Sequence, residues 1–271
     1  MQPEFEILIP VRNPTEVFRK TIESMAAQTD KRFSVLISDN FSTSGQEHIE
    51  HALASLSAAN LRARRIRPPS ELGRVEHWNW LHYQSGAEWL KPLFAGDWLE
   101  PDYIATILGT VAAEPHCSYV FSGYHYHRDE ETRTNIPHWG AGRFFTPEEM
   151  QNVVLRYAMQ FGPPSAAAYR REIFLRSGGY EPRLPICADS LLFCKLAARN
   201  GAFGVPRALV HFLIHAARFS DTLPGKRRET FREELRYFAD LGLTAWHERW
   251  RFPVLGYLRL FARTLRARFK T

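Results

Sequence analysis

The sequence predicts an α/β fold, a mostly parallel sheet with helices on both faces, extended by a basic helical tail. Short runs of strand character alternate with segments of helical apolar spacing over the first hundred residues, which is typical of such a sheet. The composition, 45% apolar and 24% charged, is that of a core-forming protein. The tail is predicted because the excess positive charge is concentrated at the end of the chain.

The positive charge is unevenly distributed. The 271 residues carry 35 Lys and Arg against 29 Asp and Glu, a net charge of +6, but residues 249–271 hold seven basic side chains and no acidic one. The preceding residues are therefore nearly neutral, and with no recognisable nucleic-acid module this argues against nucleic-acid binding. In the tail, apolar residues at helical spacing adjoin a basic face. This pattern is typical of a helix on an anionic membrane surface, and equally of one docked on its own domain.

Four strands are predicted in the first half, at residues 5–10, 33–37, 63–66 and 89–94. Helices are predicted between them, because apolar residues recur every three or four positions from Thr15, around Ile49 and around Val75. Strands that alternate with helices of this length favour parallel pairing.

The second half is less regular. A strand is predicted over residues 118–126 and another over 208–214. Thr146 and Pro147 predict a helix start, with a capping hydroxyl and a proline at the first helical position. A further helix is predicted from about Asp189, ending before Gly201.

The three cysteines, Cys117, Cys187 and Cys194, are an odd number without a C-x-x-C pair, which argues against a disulfide framework and a zinc knuckle. The N-terminus shows no secretory signal pattern, and no run of 18 apolar residues occurs. A cytoplasmic location is expected, with peripheral contact to the inner face of the plasma membrane if the tail binds lipid.

Ligands of an open parallel sheet bind at the carboxyl ends of its strands, here residues 10–13, 39–43 and 96–101. Asp39 is placed to accept hydrogen bonds from a nucleobase or a ribose, or to cap the following helix. Asp97 is placed to bind a hard divalent cation, or to serve as a turn residue.

Five segments in order carry a resemblance to a known family. Together they resemble the nucleotide-binding half of family-2 glycosyltransferases, which have the Rossmann-like GT-A fold, and weaker similarity extends it to about residues 4–220. The resemblance implies a domain over 1–222, with a nucleotide-binding half (1–101) and an acceptor half (102–222), before an extension over 223–271. The segments are FEILIPVRN (5–13), SMAAQT (24–29), VLISDNFST (35–43), LGRVEHWN (72–79) and GDWLEP (96–101).

The resemblance also implies a set of donor-binding residues. A loop and an acid hold the base and ribose of a nucleotide sugar, with an amide where a second acid is common, and a glycine-arginine turn lies beside the same pocket. On this sequence they correspond to Pro10, Val11, Arg12, Asn13, Asp39, Asn40, Gly73 and Arg74.

A divalent cation, Mg²⁺ or Mn²⁺, is implied by the family but put in doubt by this sequence. Asp97 matches the last carboxylate of the family's acidic cluster, whereas Phe94 and Gly96 stand where acids are usual. His215 corresponds to a histidine that contacts metal or diphosphate in some relatives, and Arg218 is placed to pair with phosphate. The alternative for His215 is a partly buried structural histidine.

Asp189 corresponds to the family's general base, which removes the acceptor hydroxyl proton during transfer with inversion. Its alternative role is a helix N-cap. Four aromatic residues are possible members of an acceptor site, namely Trp98, Trp139, Tyr124 and Tyr126. His125, His127 and His138 lack compact ligand spacing and are interpreted as surface or strand residues.

The sequence therefore predicts an inverting, hexosyltransferase-type enzyme that moves a sugar from a nucleotide-sugar donor to a glycan or lipid-linked acceptor. A role in bacterial surface-polysaccharide or lipopolysaccharide synthesis follows from family analogy alone. Two alternatives are a GT-A-fold binding protein with weak or no activity, favoured by the depleted acidic cluster, and a nucleotidyltransferase, disfavoured because residues 10–14 are not glycine-rich.

Overall fold

A ten-stranded sheet organises the part of the chain that the computed structural model describes, residues 4–137, 141–157, 162–214 and 233. The strands follow the order β3-β2-β1-β4-β9-β6-β10-β5, with β7 paired to β6 and β8 to β10. Their bounds are β1 Phe5–Val11, β2 Ser34–Asp39, β3 Arg62–Ile66, β4 Trp89–Pro92, β5 Trp98–Leu99, β6 Tyr119–Arg128, β7 Glu131–Asn135, β8 Arg143–Phe145, β9 Ala167–Arg170 and β10 Ala202–Ile214.

Helices cover both faces of this sheet, as predicted. Successive residues of a strand point to opposite faces, so that Ile7 joins a core with α1, α2 and α4 while Leu8 joins a second core with α3, α5, α6 and α7. The helices are α1 Val17–Ala26, α2 Gln46–Ala58, α3 Arg74–Gln84, α4 Tyr103–Ala113, α5 Pro147–Tyr157, α6 Arg171–Ser177 and α7 Ala188–Asn200.

The sheet is parallel in its first half and mixed in its second. β1 pairs in parallel with β2 and β4, and β2 with β3. β9 lies antiparallel between β4 and β6, and β7 is antiparallel to β6. The second pairing has a simple cause, since only residues 129 and 130 separate β6 from β7 and a parallel crossover needs a dozen or more residues.

Two local predictions can be compared with the structure directly. The helix start at Thr146 is confirmed as a capping box: the Glu149 N–H donates to Thr146 Oγ1 at 3.3 Å, and the Thr146 N–H donates to Glu149 Oε2 at 2.9 Å. The last strand begins at Ala202, earlier than the predicted 208, because exposed Pro206 and Arg207 interrupt its apolar pattern.

In the described part of the chain, no helix is long and apolar enough to cross a membrane.

Candidate active site

A cavity of about 790 Å³ opens at the carboxyl ends of β1, β2 and β4. Parallel strands end at one edge of a sheet, so residues far apart in the chain converge there. The volume is in the range of small-molecule sites. The predicted site residues that line the cavity are Pro10, Val11, Arg12, Asn40, Gly73, Arg74, Asp97 and Asp189.

Arg12 lies at the cavity in an ion pair with Glu71, with 2.6 Å between Nη2 and Oε1. Both side chains are about half exposed, at 53% and 52%. Exposed pairs of this kind contribute little to stability, about 1 kcal/mol or less. The Arg12 guanidinium can therefore turn to an anionic ligand at small cost.

Asn40 and Asn13 hold the loops around the cavity. Asn40 Nδ2 donates to the Leu72 carbonyl at 2.8 Å, and the Leu72 N–H donates back to Asn40 Oδ1 at 3.0 Å. Asn13 has a positive φ of 49° and does not line the cavity, and its Oδ1 accepts from the Thr43 N–H at 2.8 Å. Asn13 thus ties the loop after β1 to the loop after β2.

Asp39 lies behind the cavity wall and is fully buried. Its Oδ2 accepts hydrogen bonds from the guanidinium groups of Arg65 and Arg67, and its Oδ1 accepts from the Ser42 N–H at 2.9 Å. Burial raises the pKa of this carboxyl, but the hydrogen bonds from Arg67, Ser42 and Arg65 outweigh it and the pKa is lowered. The carboxylate thus already accepts from three protein donors and does not line the cavity, whereas the family resemblance implies a contact to the donor.

The residues Gly73 and Arg74 begin α3 beside the cavity. Gly73 is the helix N-cap with an extended backbone, and a Cβ there would lie 2.3 Å from Glu76 Oε2, the end of a flexible side chain that can move aside. Arg74 Nη2 donates to the Pro185 carbonyl, and its guanidinium lies 4.6 Å above the Trp78 ring. Arg74 therefore connects α3 to the loop that precedes α7.

Asp97 is 4% exposed at the base of the cavity. Its Oδ2 accepts a hydrogen bond from Ser165 Oγ, and its Oδ1 accepts from the Leu213 N–H at 3.3 Å. Both oxygens are thus already engaged by the protein.

A buried lysine stands behind Asp97. Lys91 is 0% exposed, and its Nζ donates to the carbonyls of Ser165 and Pro92. Burial lowers the pKa of Lys91 to about 7, against the opposing attraction of Asp97. Sequence analysis missed Lys91 because an apolar run such as WLKPLF carries no sign that its single charge is fully buried.

The residues around Asp97 do not by themselves fit a divalent cation. Phe94 packs edge-on against Trp78 with 4.9 Å between ring centroids, and Gly96 donates its N–H to Thr21 Oγ1 at 2.9 Å. A hard cation takes several oxygen ligands, and among the described residues no group of three acidic, histidine or cysteine ligands includes Asp97. His215, the second predicted ligand, and Arg218 lie outside the described residues.

Asp189 lies in the first turn of α7 and lines the cavity, with Oδ1 accepting from the Ser190 N–H at 2.7 Å. The helix N-cap is Cys187, so the N-cap role considered for Asp189 is wrong. Glu233 satisfies this helix end instead, because its Oε2 accepts from the N–H groups of Ile186 at 2.7 Å and Cys187 at 2.9 Å. A residue of the predicted extension thus packs against the candidate catalytic loop.

His77 is a cavity residue that sequence analysis missed. Its Nε2 is 2.6 Å from Ser38 Oγ, and burial lowers its pKa to about 4 although the Asp39 charge opposes the shift. The ring is therefore neutral at neutral pH. The position of His77 one helical turn after Gly73 on α3 could have indicated that it lies at the same cavity.

His125 and His127 lie on β6, as predicted, but the structure adds a partner that their spacing in the sequence did not indicate. β6 and β10 pair in parallel with His211 beside His125, and His127 Nε2 is 2.9 Å from His211 Nδ1. Trp98 stacks on His211 with 4.6 Å between centroids. The group was missed because His211 is 84 positions from His127 and only strand pairing joins them.

The other predicted aromatic residues have mixed outcomes. Tyr124 and Tyr126 pack against Phe212, which lines the cavity, with centroids 6.4 and 6.1 Å apart. Trp139 and His138 lie outside the described residues, as does the basic tail.

The comparison with protein families decides the identity. The model of the family described as glycosyl transferase family 2 matches residues 6–177, more than half of the chain. The chain belongs to glycosyl transferase family 2. No curated protein sequence matches it closely enough to count as a relative.

Solved structures confirm the GT-A glycosyltransferase fold of this family-2 member. TarS 1-349 from S. aureus in complex with UDP is similar with a TM-score of 0.68 and 14% identity, over 96% of this chain and 72% of that one. Its complex with UDP-GlcNAc gives 0.69 and 12%, over 88% and 66%. The mannosyltransferase PcManGT from Pyrobaculum calidifontis, in complex with GDP-Man and Mn²⁺, gives 0.62 and 17%, over 90% and 66%.

Proposed function

We propose that this family-2 member is an inverting glycosyltransferase that moves a hexose-type sugar from a nucleotide-sugar donor to a hydroxyl of a glycan or lipid-linked acceptor. The observation that carries the proposal is that Asp189 and Asp97 line one cavity together with Arg12 and Arg74. The placement in bacterial surface-polysaccharide synthesis rests on the family analogy.

In the proposed chemical step, Asp189 acts as the general base. The acceptor oxygen attacks the anomeric carbon of the donor, and its proton passes to the Asp189 carboxylate. The bond between that carbon and the diphosphate oxygen breaks, and its electron pair leaves with the nucleoside diphosphate. Attack opposite the leaving group inverts the configuration at the anomeric carbon.

The donor is held at the strand ends. Pro10, Val11 and Asn40 form the part of the wall where the base and ribose are placed by the family resemblance. Arg12 offers a planar cation to the diphosphate, and Arg74 fixes the wall between α3 and the loop before α7.

The proposal includes a divalent cation at the diphosphate only because a solved structure of similar fold, that of PcManGT, is a complex with Mn²⁺. Asp97 is the carboxylate that would contact it, and His215 is the second predicted ligand. When bound, such an ion would neutralise charge on the leaving diphosphate.

The decisive experiment compares Asp189→Asn with the unchanged protein. Turnover of the nucleotide sugar is expected to fall by about 100-fold or more, because general-base catalysis contributes factors of this size. Nucleotide affinity, measured by calorimetry, is expected to be unchanged because the substituted group acts on the acceptor.

The matched control is Asp129→Asn, an exposed aspartate at a φ of 52°, a backbone conformation that asparagine adopts readily. It should keep full turnover. Equal turnover of Asp189→Asn and Asp129→Asn would contradict the assignment. A protein that binds nucleotide but never turns over a sugar would favour the binding-protein alternative.

A thermal-shift panel identifies the donor class. UDP, GDP, dTDP and CMP are tested separately, each with and without Mn²⁺, and at least one is expected to raise the melting temperature. Stabilisation that needs Mn²⁺ supports a cation at Asp97, whereas stabilisation without it supports charge supplied by side chains alone. No shift with any nucleotide would refute donor binding.

A further inference from the structure

Three ligand-type side chains meet where β5, β6 and β10 lie side by side. Glu100 follows β5, His125 lies on β6 and His211 on β10. Glu100 Oε1 is 2.7 Å from His211 Nε2 and 3.9 Å from His125 Nε2, and the three ligand atoms lie within 4.8 Å of one another. All three side chains are partly exposed, so an ion from solvent can reach them.

Hydrogen bonds at the far side of each ring hold the imidazoles in place. His125 Nδ1 is 3.0 Å from Thr134 Oγ1, and His127 Nδ1 is 2.9 Å from Thr132 Oγ1. His211 Nδ1 is 2.9 Å from His127 Nε2. With hydrogen on each Nδ1, these contacts are all satisfied and the Nε2 atoms of His125 and His211 remain as acceptors on two rings that stack with 4.6 Å between centroids. Metal-binding histidines are typically oriented in this way through their second nitrogen.

In that arrangement His211 Nε2 and Glu100 Oε1 are two acceptors 2.7 Å apart, which share a proton when no metal is bound and are both available to a cation that replaces it. Ligands of a tetrahedral zinc ion, at about 2.1 Å from the metal, are about 3.4 Å from one another. The distances from Glu100 Oε1 to His211 Nε2 (2.7 Å) and to His125 Nε2 (3.9 Å) lie below and above that value. We propose that Glu100, His125 and His211 bind a divalent transition-metal ion of the zinc class, for which imidazole is a preferred ligand.

The bound ion joins β6 and β10 to the residue that follows β5, and both β5 and β10 are next to residues of the cavity wall. β5 has only two residues, and Asp97 immediately precedes it. Asp97 in turn accepts a hydrogen bond from the Leu213 N–H, two residues after His211 on β10. An ion that ties Glu100 to His211 therefore steadies the segment that presents Asp97. This site is separate from any cation bound by Asp97 itself and does not depend on the proposed reaction.

Zinc titration of the untagged full-length protein, freed of metal with a chelator, tests the site. Calorimetry is expected to show one high-affinity Zn²⁺ per chain, and Co²⁺ is expected to give visible absorption bands typical of nitrogen and oxygen ligands. At 100 times the dissociation constant, Zn²⁺ should raise the melting temperature by roughly 5 °C or more.

Glu100→Gln and His125→Gln are each expected to weaken Zn²⁺ binding by about 10-fold or more. His116→Gln, which alters an exposed histidine outside the group, should bind like the unchanged protein, and so should Asp97→Asn. If His125→Gln does not fold, the isosteric Glu100→Gln decides the question. Absence of Zn²⁺ binding, which leaves a proton as the shared cation, or affinity unaffected by Glu100→Gln would overturn the proposal.

Discussion

Asp39 and Lys91 are both fully buried ionisable residues, but they have different hydrogen-bond partners. Asp39 accepts hydrogen bonds from two arginines, Arg65 and Arg67, so that its charged form is favoured. Lys91 donates to neutral carbonyls, and its burial is offset by the nearby Asp97 charge and by the Tyr103 ring, whose centroid is 4.7 Å from Nζ. A buried charge without close pairing is expected to titrate near neutrality rather than to stay ionised.

The stability of the protein should therefore depend on pH through Lys91. The pKa of Lys91 is lowered from 10.5 to about 7 in the folded state, so between these values the unfolded chain binds a proton that the folded protein has released. Raising the pH through this window favours folding. Between pH 7 and 9, the free energy of unfolding should rise by roughly 2 kcal/mol relative to Lys91→Met.

Urea unfolding of both proteins at pH 7 and pH 9 measures this difference, and groups common to both cancel. Lys31→Met, at an exposed position, serves as the matched control and should follow the unchanged protein. Parallel pH profiles for Lys91→Met and the unchanged protein would show that Lys91 does not titrate in this range.

At the scale of elements, α3 is attached to the turn that leads toward α7. Asn79 Nδ2 donates to the Tyr180 carbonyl at 2.8 Å, and the Tyr180 N–H donates to Asn79 Oδ1 at 2.8 Å. Gly179 has a φ of +76°, and a Cβ there would lie 2.5 Å from Asn79 Oδ1. This turn thus requires glycine both for its backbone and for the close approach of Asn79.

Alanine substitutions at the adjacent residues Gly178 and Gly179 distinguish the cost of the left-handed backbone from the cost of the clash with Asn79. Gly179→Ala should lower the free energy of unfolding by about 2 kcal/mol or more, since it adds a steric clash to the cost of a left-handed conformation. Gly178→Ala has a similar φ of +81° but nothing within 4 Å of the added carbon, so it should cost only about 1 kcal/mol. Equal losses in urea unfolding would argue against the clash with Asn79.

At the scale of the whole molecule, the positive charge is concentrated outside the nearly neutral domain. Residues 249–271 carry seven basic side chains and no acidic one. The sequence predicts a basic amphipathic helix over these residues, and such a helix is suited to an anionic bilayer, where each basic residue contributes about 1 kcal/mol. A tail held at a membrane surface would suit a lipid-linked acceptor, whereas a tail docked on its own domain would not sediment with vesicles.

Replacing the four residues Arg259, Arg263, Arg266 and Lys270 with Gln in the full chain should abolish sedimentation with anionic vesicles. Replacing the three arginines with Lys keeps the charge and should preserve sedimentation. Substitution is preferable to cutting the chain near Gly225, since Glu233 accepts hydrogen bonds from the loop before α7. Unchanged sedimentation of the Gln variant would refute the membrane role.

Most of the helix and strand pattern could be predicted because it depends on the local spacing of apolar residues. The run at Phe5 and the spacing of Phe18 and Ile22 specify a strand and a helix without reference to any other segment. β9 could not be predicted in this way, since its antiparallel position between β4 and β6 depends on packing between distant segments.

The same distinction holds for the candidate site. The sequence by itself determined that Asp97 follows the end of a strand and that Asp189 lies at the start of a helix, because these local positions belong to the family motifs. Only the tertiary structure decided that Lys91 lies behind Asp97 and that His125 meets His211. Burial and pairing across a sheet depend on the register between segments that are far apart in the chain, and no local pattern encodes that register.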